Sequence, residues 1–351
     1  MKLKSLLVCI LIVVSINIPQ HTQAVDSNIL YVGETEEFHT IQEALDVAND
    51  GDRIVVRDGI YPPIFVNKSV HIQNYNRIEN VTIGSEISKN TVTINADNVY
   101  LIGINIINGS ASMFSRGVSI RGNHALIRDC HIFNNSNGLY VRENISCIIK
   151  DSTITSNLYG GLQCAGSENI VIYNTTVKDN TFDDAFVDIG FIDCKSISIH
   201  KSIVGKFSVD GLKNYSDIQD NTFNSSIIFR VNYISIYNNT FEKTTIFSDC
   251  NMNFCNNKLH GENIFQQQEY GFFDIESNIF TNFSLFNNCQ NLNVHNNTFT
   301  VKNDIRFIFH SFKECRSSVW YNNERVALLE NIIFGSVYIQ GLPIPWFVMQ
   351  Q

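Results

Sequence analysis

The sequence predicts an all-β chain wound as a parallel β-solenoid. Three observations predict it: an excess of asparagine, one short phrase that recurs along most of the chain, and no helical periodicity between its copies. Asparagine occurs 44 times in 351 residues, and this residue favours turns and stacked amide ladders over helix interiors. The phrase reads apolar, any residue, Asn or Asp, small polar, any residue, apolar. Its copies are Ile127–Ile132, Ile149–Ile154, Ile172–Val177, Ile218–Phe223, Ile236–Phe241, Phe254–Leu259, Ile275–Phe280 and Val294–Phe299, and looser copies end at Ile106, Val204 and Arg325. Successive copies end about 22 residues apart on average, the size of one solenoid coil. Uneven spacing means that strands align while the loops between them vary in length.

Within a coil, apolar and polar residues alternate, as in Val118-Ser119-Ile120 and Ile197-Ser198-Ile199. That is the period of a half-buried strand. Each coil then contributes a few Ile, Val, Leu or Phe side chains, worth roughly 1.5 to 3 kcal/mol apiece once neighbouring coils cover them. Aligning the copies puts Asn221, Asn239, Asn257, Asn278, Asn297 and Asn323 at one turn of successive coils. This predicts an Asn ladder in which each amide bonds the next coil, at a bend that needs a residue tolerant of left-handed backbone angles. At the N-terminal end, residues 38–48 read as a short amphipathic helix, with Thr40 and Glu43 at capping-box spacing.

The first 24 residues have the pattern of an export signal: Lys2 and Lys4, an apolar run from Leu6 to Ile18, then the small-residue exit Thr22-Gln23-Ala24. No later run is long enough to span a membrane as a helix. The expected organisation is residues 1–24 as signal peptide, 25–66 as N-terminal cap and first coil, 67–323 as β-helix repeats and 324–351 as C-terminal cap. A secreted or cell-envelope protein follows. The formal net charge is -9, which argues against nucleic acid or anionic membrane as a partner. Any polyanionic ligand would therefore need a local cluster of basic residues.

The cap helix, the phrase Gly51-Asp52-Arg53-Ile54-Val55-Val56 with Gly59-Ile60-Tyr61 behind it, and the repeats that follow resemble the secreted proteins of the pectin-lyase-like superfamily. The resemblance is strongest to the NosD-type carbohydrate-binding and sugar-hydrolase (PbH1) repeats, and it covers about residues 29 to 325. It implies a right-handed, single-stranded parallel β-helix capped by the N-terminal helix. It also implies a polysaccharide or cell-envelope glycan as partner. Activity is left open, because such repeats occur in lyases, glycosidases, epimerases, esterases and adhesins.

Chemistry on such a scaffold usually occupies an exposed strand face. A Gly or Ala opens one strand of each coil, at Gly117, Gly138, Gly161, Ala185 and Gly211. Counting outward from these positions gathers Asp183, Asp184 and Asp210 beside Lys213 as candidate catalytic groups, with Arg116, Arg121, Tyr140, Arg142 and Gln163 as candidate ligand-binding groups. Aromatic faces stack on sugars and Arg forks grip carboxylates. The acids could serve an inverting hydrolase, or a lyase, in which case Ca²⁺ would be a cofactor; otherwise no cofactor is expected. Asp183-Asp184 resembles the paired acids of polygalacturonases, but that family's Gly-His-Gly and Arg-Ile-Lys are missing. The Arg-Pro-x-x-Arg of pectate lyases, the Gln-Asp-Thr of pectin methylesterases and the Asp-Pro-His-Asp of mannuronan epimerases are missing too. The leading expectation is recognition of carbohydrate or another extended ligand along a solenoid face; the alternatives are cleavage of uronate-containing polymers by a lyase or glycoside hydrolase, and a purely structural or adhesive role.

Eight cysteines follow the export segment. Cys194, Cys250, Cys289 and Cys315 fall in one inward column, which reads as a buried thiol stack; the alternative is a disulfide between Cys289 and Cys315, which lie on successive coils at a compatible spacing. The histidines are scattered, so no metal site is expected. Eleven Asn-x-Ser/Thr sequons occur; Asn108 and Asn144, in loops, are better glycan acceptors than Asn238 and Asn296, which belong to the repeat phrase.

Overall fold

A computed structural model describes residues 27–76, 80–84, 90–107, 112, 114–180, 186–266, 272–282, 284–287, 292–299, 304–308, 326–329, 332–333 and 336–340. Every strand pair is parallel and joins a strand to its counterpart one coil on. Three sheets result, and the chain visits them in turn. In one coil, Ala125–Arg128 belongs to the first sheet, His131–Phe133 to the second and Asn137–Val141 to the third, and Cys147–Lys150 returns to the first. The molecule is a right-handed parallel β-helix, the hand that parallel crossovers overwhelmingly take. No helix among the described residues is long and apolar enough to cross a membrane.

The first coil is closed by the expected helix, Ile41–Val47. Thr40 caps it: its hydroxyl accepts from the Glu43 N–H at 3.2 Å, and the Glu43 carboxylate accepts from the Thr40 N–H at 3.1 Å. Ile41, Ala44 and Leu45 turn inward and cover the end of the core.

Alternation along each strand sends every second side chain inside, and in-register pairing stacks like on like. Ile127, Ile149, Ile172, Ile199, Ile218 and Ile236 form one such file on the first sheet, each fully buried. Further along, phenylalanine takes over. Phe207, Phe223 and Phe241 follow one another with ring centroids 5.0 and 5.2 Å apart, and Phe247 stacks on Phe265 at 4.9 Å.

The corner between the first and second sheets carries the predicted ladder. Asn221 Nδ2 donates to Asn239 Oδ1 at 3.0 Å, Asn239 to Asn257 at 3.1 Å, Asn257 to Asn278 at 3.1 Å and Asn278 to Asn297 at 2.9 Å. All five are buried; Asn323 lies outside the described residues. The residue before the ladder position adopts left-handed angles, as at Asp220, Asn238, Asn256, Ser277 and Asn296. Upstream the same file continues in hydroxyls, through Ser202, Thr175 and Ser152 to the thiol residue Cys130. A second, shorter ladder, unforeseen from sequence, runs along the corner between the second and third sheets. There Asn135 bonds Asn157 at 3.0 Å, Asn157 bonds Asn180 at 2.7 Å, and Asn180 ends on the buried Asp188 carboxylate at 2.9 Å.

Cys194 and Cys250 are buried in one file, as the inward column requires, and are free thiols with Cys130, Cys147, Cys164 and Cys255. Cys289 and Cys315 lie outside the described residues. Asn238 and Asn296 are exposed at their corners, as Asn144 is, so membership of the repeat phrase does not shield them; Asn108 lies outside the described residues.

Candidate functional site

The outer face of the third sheet gathers the candidate ligand-binding residues. Strands Arg116–Ile120, Asn137–Val141 and Leu162–Ala165 lie side by side, with Ser119, Tyr140 and Gln163 in register. Val118, Leu139 and Leu162 point inward and anchor the sheet. The opposite side chains are thereby forced outward. Ser119 is covered by its neighbours, at 1% exposure, while Tyr140 and Gln163 reach the surface. The Arg116 guanidinium lies 4.1 Å over the Tyr140 ring, a cation–π contact that fixes both side chains.

Arg116, Tyr140 and Gln163, with Phe114, Asn137, Leu139, Tyr159 and Phe186, line a cleft of about 210 Å³. Its walls come from the turns. Phe114, 77% exposed, stands on the approach to the Arg116 strand, and Tyr159 meets Phe186 edge-on with centroids 5.4 Å apart. Three arginines set the charge. Arg116 is half-buried and its guanidinium is pulled below the ordinary value, by burial first and then by the positive charges of Arg121 and Arg142; Tyr140 acts in the opposite sense. Arg121 and Arg142 follow these strands at equivalent places on adjacent coils and are exposed. The arrangement is a flat, aromatic-walled cleft with a cationic rim, suited to hold a planar sugar face and a carboxylate at once.

Of the candidate catalytic groups, Asp210 and Lys213 do not take the register positions that their sequence spacing suggests. Asp183 and Asp184 lie outside the described residues. Past Gln163 the register differs from the expected one: Gly190 and Ser208, not Val187 and Lys213, follow in its file. The position expected for Ala185 is held by Asp188, whose carboxylate turns back to end the second Asn ladder. Asp210 therefore falls opposite Ile192, and its two oxygens accept from Arg230 Nε at 2.8 Å and Nη2 at 2.7 Å. Lys213 lies beyond the strand, exposed in the turn that leads back to the first sheet. Among the described residues no three His, Cys, Asp or Glu side chains stand close enough to hold a metal ion.

The aromatic walls of the cleft are what sequence reasoning missed. Phe114, Tyr159 and Phe186 sit outside the strand alternation, two or three residues before the third-sheet strands Arg116–Ile120, Leu162–Ala165 and Ile189–Ile192, and strand periodicity does not mark them.

No family model matches the chain, and no curated protein does. Solved structures similar to it include the alginate lyase from Paenibacillus sp. str. FPU-7, at 11% identity and TM-score 0.42 over 89% of this chain and 98% of that one. They also include the pectate lyase Pel9A, at 14% identity and TM-score 0.42 over 62% and 76%, and the pectin methylesterase from Aspergillus niger, at 12% and 0.33 over 91% of each. The class of the chain, a parallel β-helix, rests on the strand register given above.

Proposed function

We propose that this protein binds an extended acidic glycan, one carrying uronate units, across the outer face of its third sheet. The observation that carries this reading is the cleft between Phe114, Tyr140, Tyr159 and Phe186, with Arg116 in its lining and Arg121 and Arg142 beside it. In a chain of net charge -9, three arginines gathered at one aromatic cleft are the local basic cluster that a polyanion needs. Arg116 and Tyr140, stacked on each other, present a cation and an aromatic ring already fixed in place, so little entropy is lost when a ligand meets them. Neighbouring coils repeat every 4.8 Å or about that, so a polymer crossing the strands meets several of these groups at once. The export pattern of residues 1–24, outside the described residues, agrees with a ligand met outside the cytoplasm.

The test is retention of residues 25–351 on immobilised polygalacturonate, alginate and neutral polysaccharides, with unsaturated products and new reducing ends assayed in the same samples with and without Ca²⁺. Retention on the uronate polymers, lost in Arg116→Ala and Tyr140→Ala, is expected. Retention unchanged by both substitutions would overturn the placement of the site. New ends or unsaturated products would replace binding by cleavage.

A further inference from the structure

At the corner between the first and second sheets, opposite the third, lies a larger groove of about 470 Å³. Gln73, Asn74, Tyr75, Asn105, Arg128 and Asp129, from three successive coils, supply its polar lining. Its shape is set by the backbone: Gly103 has φ +69°, and a Cβ there would stand 2.6 Å from Asn74 Oδ1, so glycine alone leaves the Asn74 amide its place. Tyr75 is 45% exposed, and one face of its ring is covered. The Arg57 guanidinium lies 3.3 Å over its ring, and Arg57 Nε is in turn bonded to Glu36 at 2.8 Å.

The charge of this groove differs from that of the third-sheet cleft. Arg128 Nε contacts Asp129 Oδ2 at 3.3 Å, so the two formal charges of the lining cancel, and the remaining polar groups are amides and one phenol. Amides present a donor and an acceptor side by side, the complement of a sugar hydroxyl, which is both. We propose that this groove is a second saccharide site, separate from the third-sheet cleft, and that it takes a neutral sugar. Tyr75 would carry the apolar face of the ring, and the Asn74 amide, Gln73 Nε2 and Asn105 Oδ1 its hydroxyls, since Gln73 Oε1 already accepts from Arg53 and Asn105 Nδ2 already donates to Asn80. The inference does not rest on the reading of the third-sheet cleft.

The probes are cellohexaose, mannohexaose and maltohexaose, titrated calorimetrically into the chain from residue 25, with hexagalacturonate as the charged competitor. Binding of at least one neutral hexaose is expected, weakened about tenfold or more by Tyr75→Ala, retained by Tyr75→Phe, unchanged by Arg116→Ala and not displaced by hexagalacturonate. Should Tyr75→Ala fail to melt cooperatively, Asn105→Ala is read in its place, with weakening again expected. The proposal is overturned if none of the three hexaoses binds, if binding survives these alanine substitutions, or if Arg116→Ala or hexagalacturonate abolishes it.

Discussion

Two kinds of buried polar residue separate sharply at the scale of single side chains. Asn239 is satisfied throughout: its Nδ2 donates to the carbonyls of Ile218 and Tyr237, both at 2.9 Å, and its Oδ1 accepts from the Asn221 N–H at 2.9 Å. Asn239→Ala removes these bonds and strands the Asn221 N–H in the interior, so a loss of about 2 to 4 kcal/mol is expected in urea unfolding. Ser226 and Ser284 belong to the opposite kind. They face inward in the file that starts at Phe207 and runs through Thr245 and Asn263, and their hydroxyls have no partner. Ser226→Ala and Ser284→Ala are accordingly expected to be neutral or stabilising in the same assay, since deleting an unsatisfied group costs nothing in bonds. The Asn ladder was legible because its residue type and its spacing recur together. The serine file was not, because a buried hydroxyl leaves no mark on a pattern read as polar-outward.

Among the strands and the cap, chain length between corners decides what sequence can show. The third-sheet register is legible from Arg116 through Tyr140 to Gln163, where coils follow at near-constant spacing. It is lost where the chain runs from Asn180 to Ile189, because a carboxylate, Asp188, fills a position held by Gly117, Gly138 and Gly161 in earlier coils. Pattern matching looks for a small residue there; the fold accepts Asp188 because the Asn180 side-chain and backbone N–H groups and the Lys206 N–H bond its oxygens. Lys213 was thus drawn towards Asp210, whose actual partner is Arg230. The cap helix behaves as read. Hydrogen bonds from the His39 and Thr40 N–H groups hold the Glu43 carboxyl below its ordinary value. A carboxyl lowered in the folded state lends stability that is present above its unfolded value, near 4.5, and is lost as pH falls through the folded one. Protection factors of the Ile41–Val47 amides, which take out the pH dependence of intrinsic exchange, should therefore fall ahead of those of the central coils as pH drops below 4.5, and Thr40→Ala should lower them through the loss of about 1 kcal/mol of capping energy.

For the molecule as a whole, stability falls away towards alkaline pH for a reason written into its thiols. Burial pushes Cys130, Cys147 and Cys250 up from 9.0 to about 12. The folded chain keeps these protons while the unfolded chain releases them above pH 9, so the unfolded state gains and stability declines between about pH 9 and 12. The urea midpoint should drop across that range. In native protein at pH 8 a thiol reagent should label the half-buried Cys255 before any of these three, which should react only on unfolding. Binding has its own dependence on conditions. The site is a cluster of three arginines on an acidic chain, so affinity for a uronate oligomer should fall as salt rises, with the exposed Arg121 and Arg142 screened most.

The glycan reading stands most directly on Arg116 and Tyr140 acting together, and calorimetric titration of hexagalacturonate into the chain from residue 25, into Arg116→Ala and into Tyr140→Ala tests that pairing. The expected result is saturable binding that each substitution weakens about tenfold or more, with melting temperatures unchanged and the residual affinity less sensitive to salt in Arg116→Ala. Absence of binding to the unsubstituted protein, or equal affinity in all three, would contradict it.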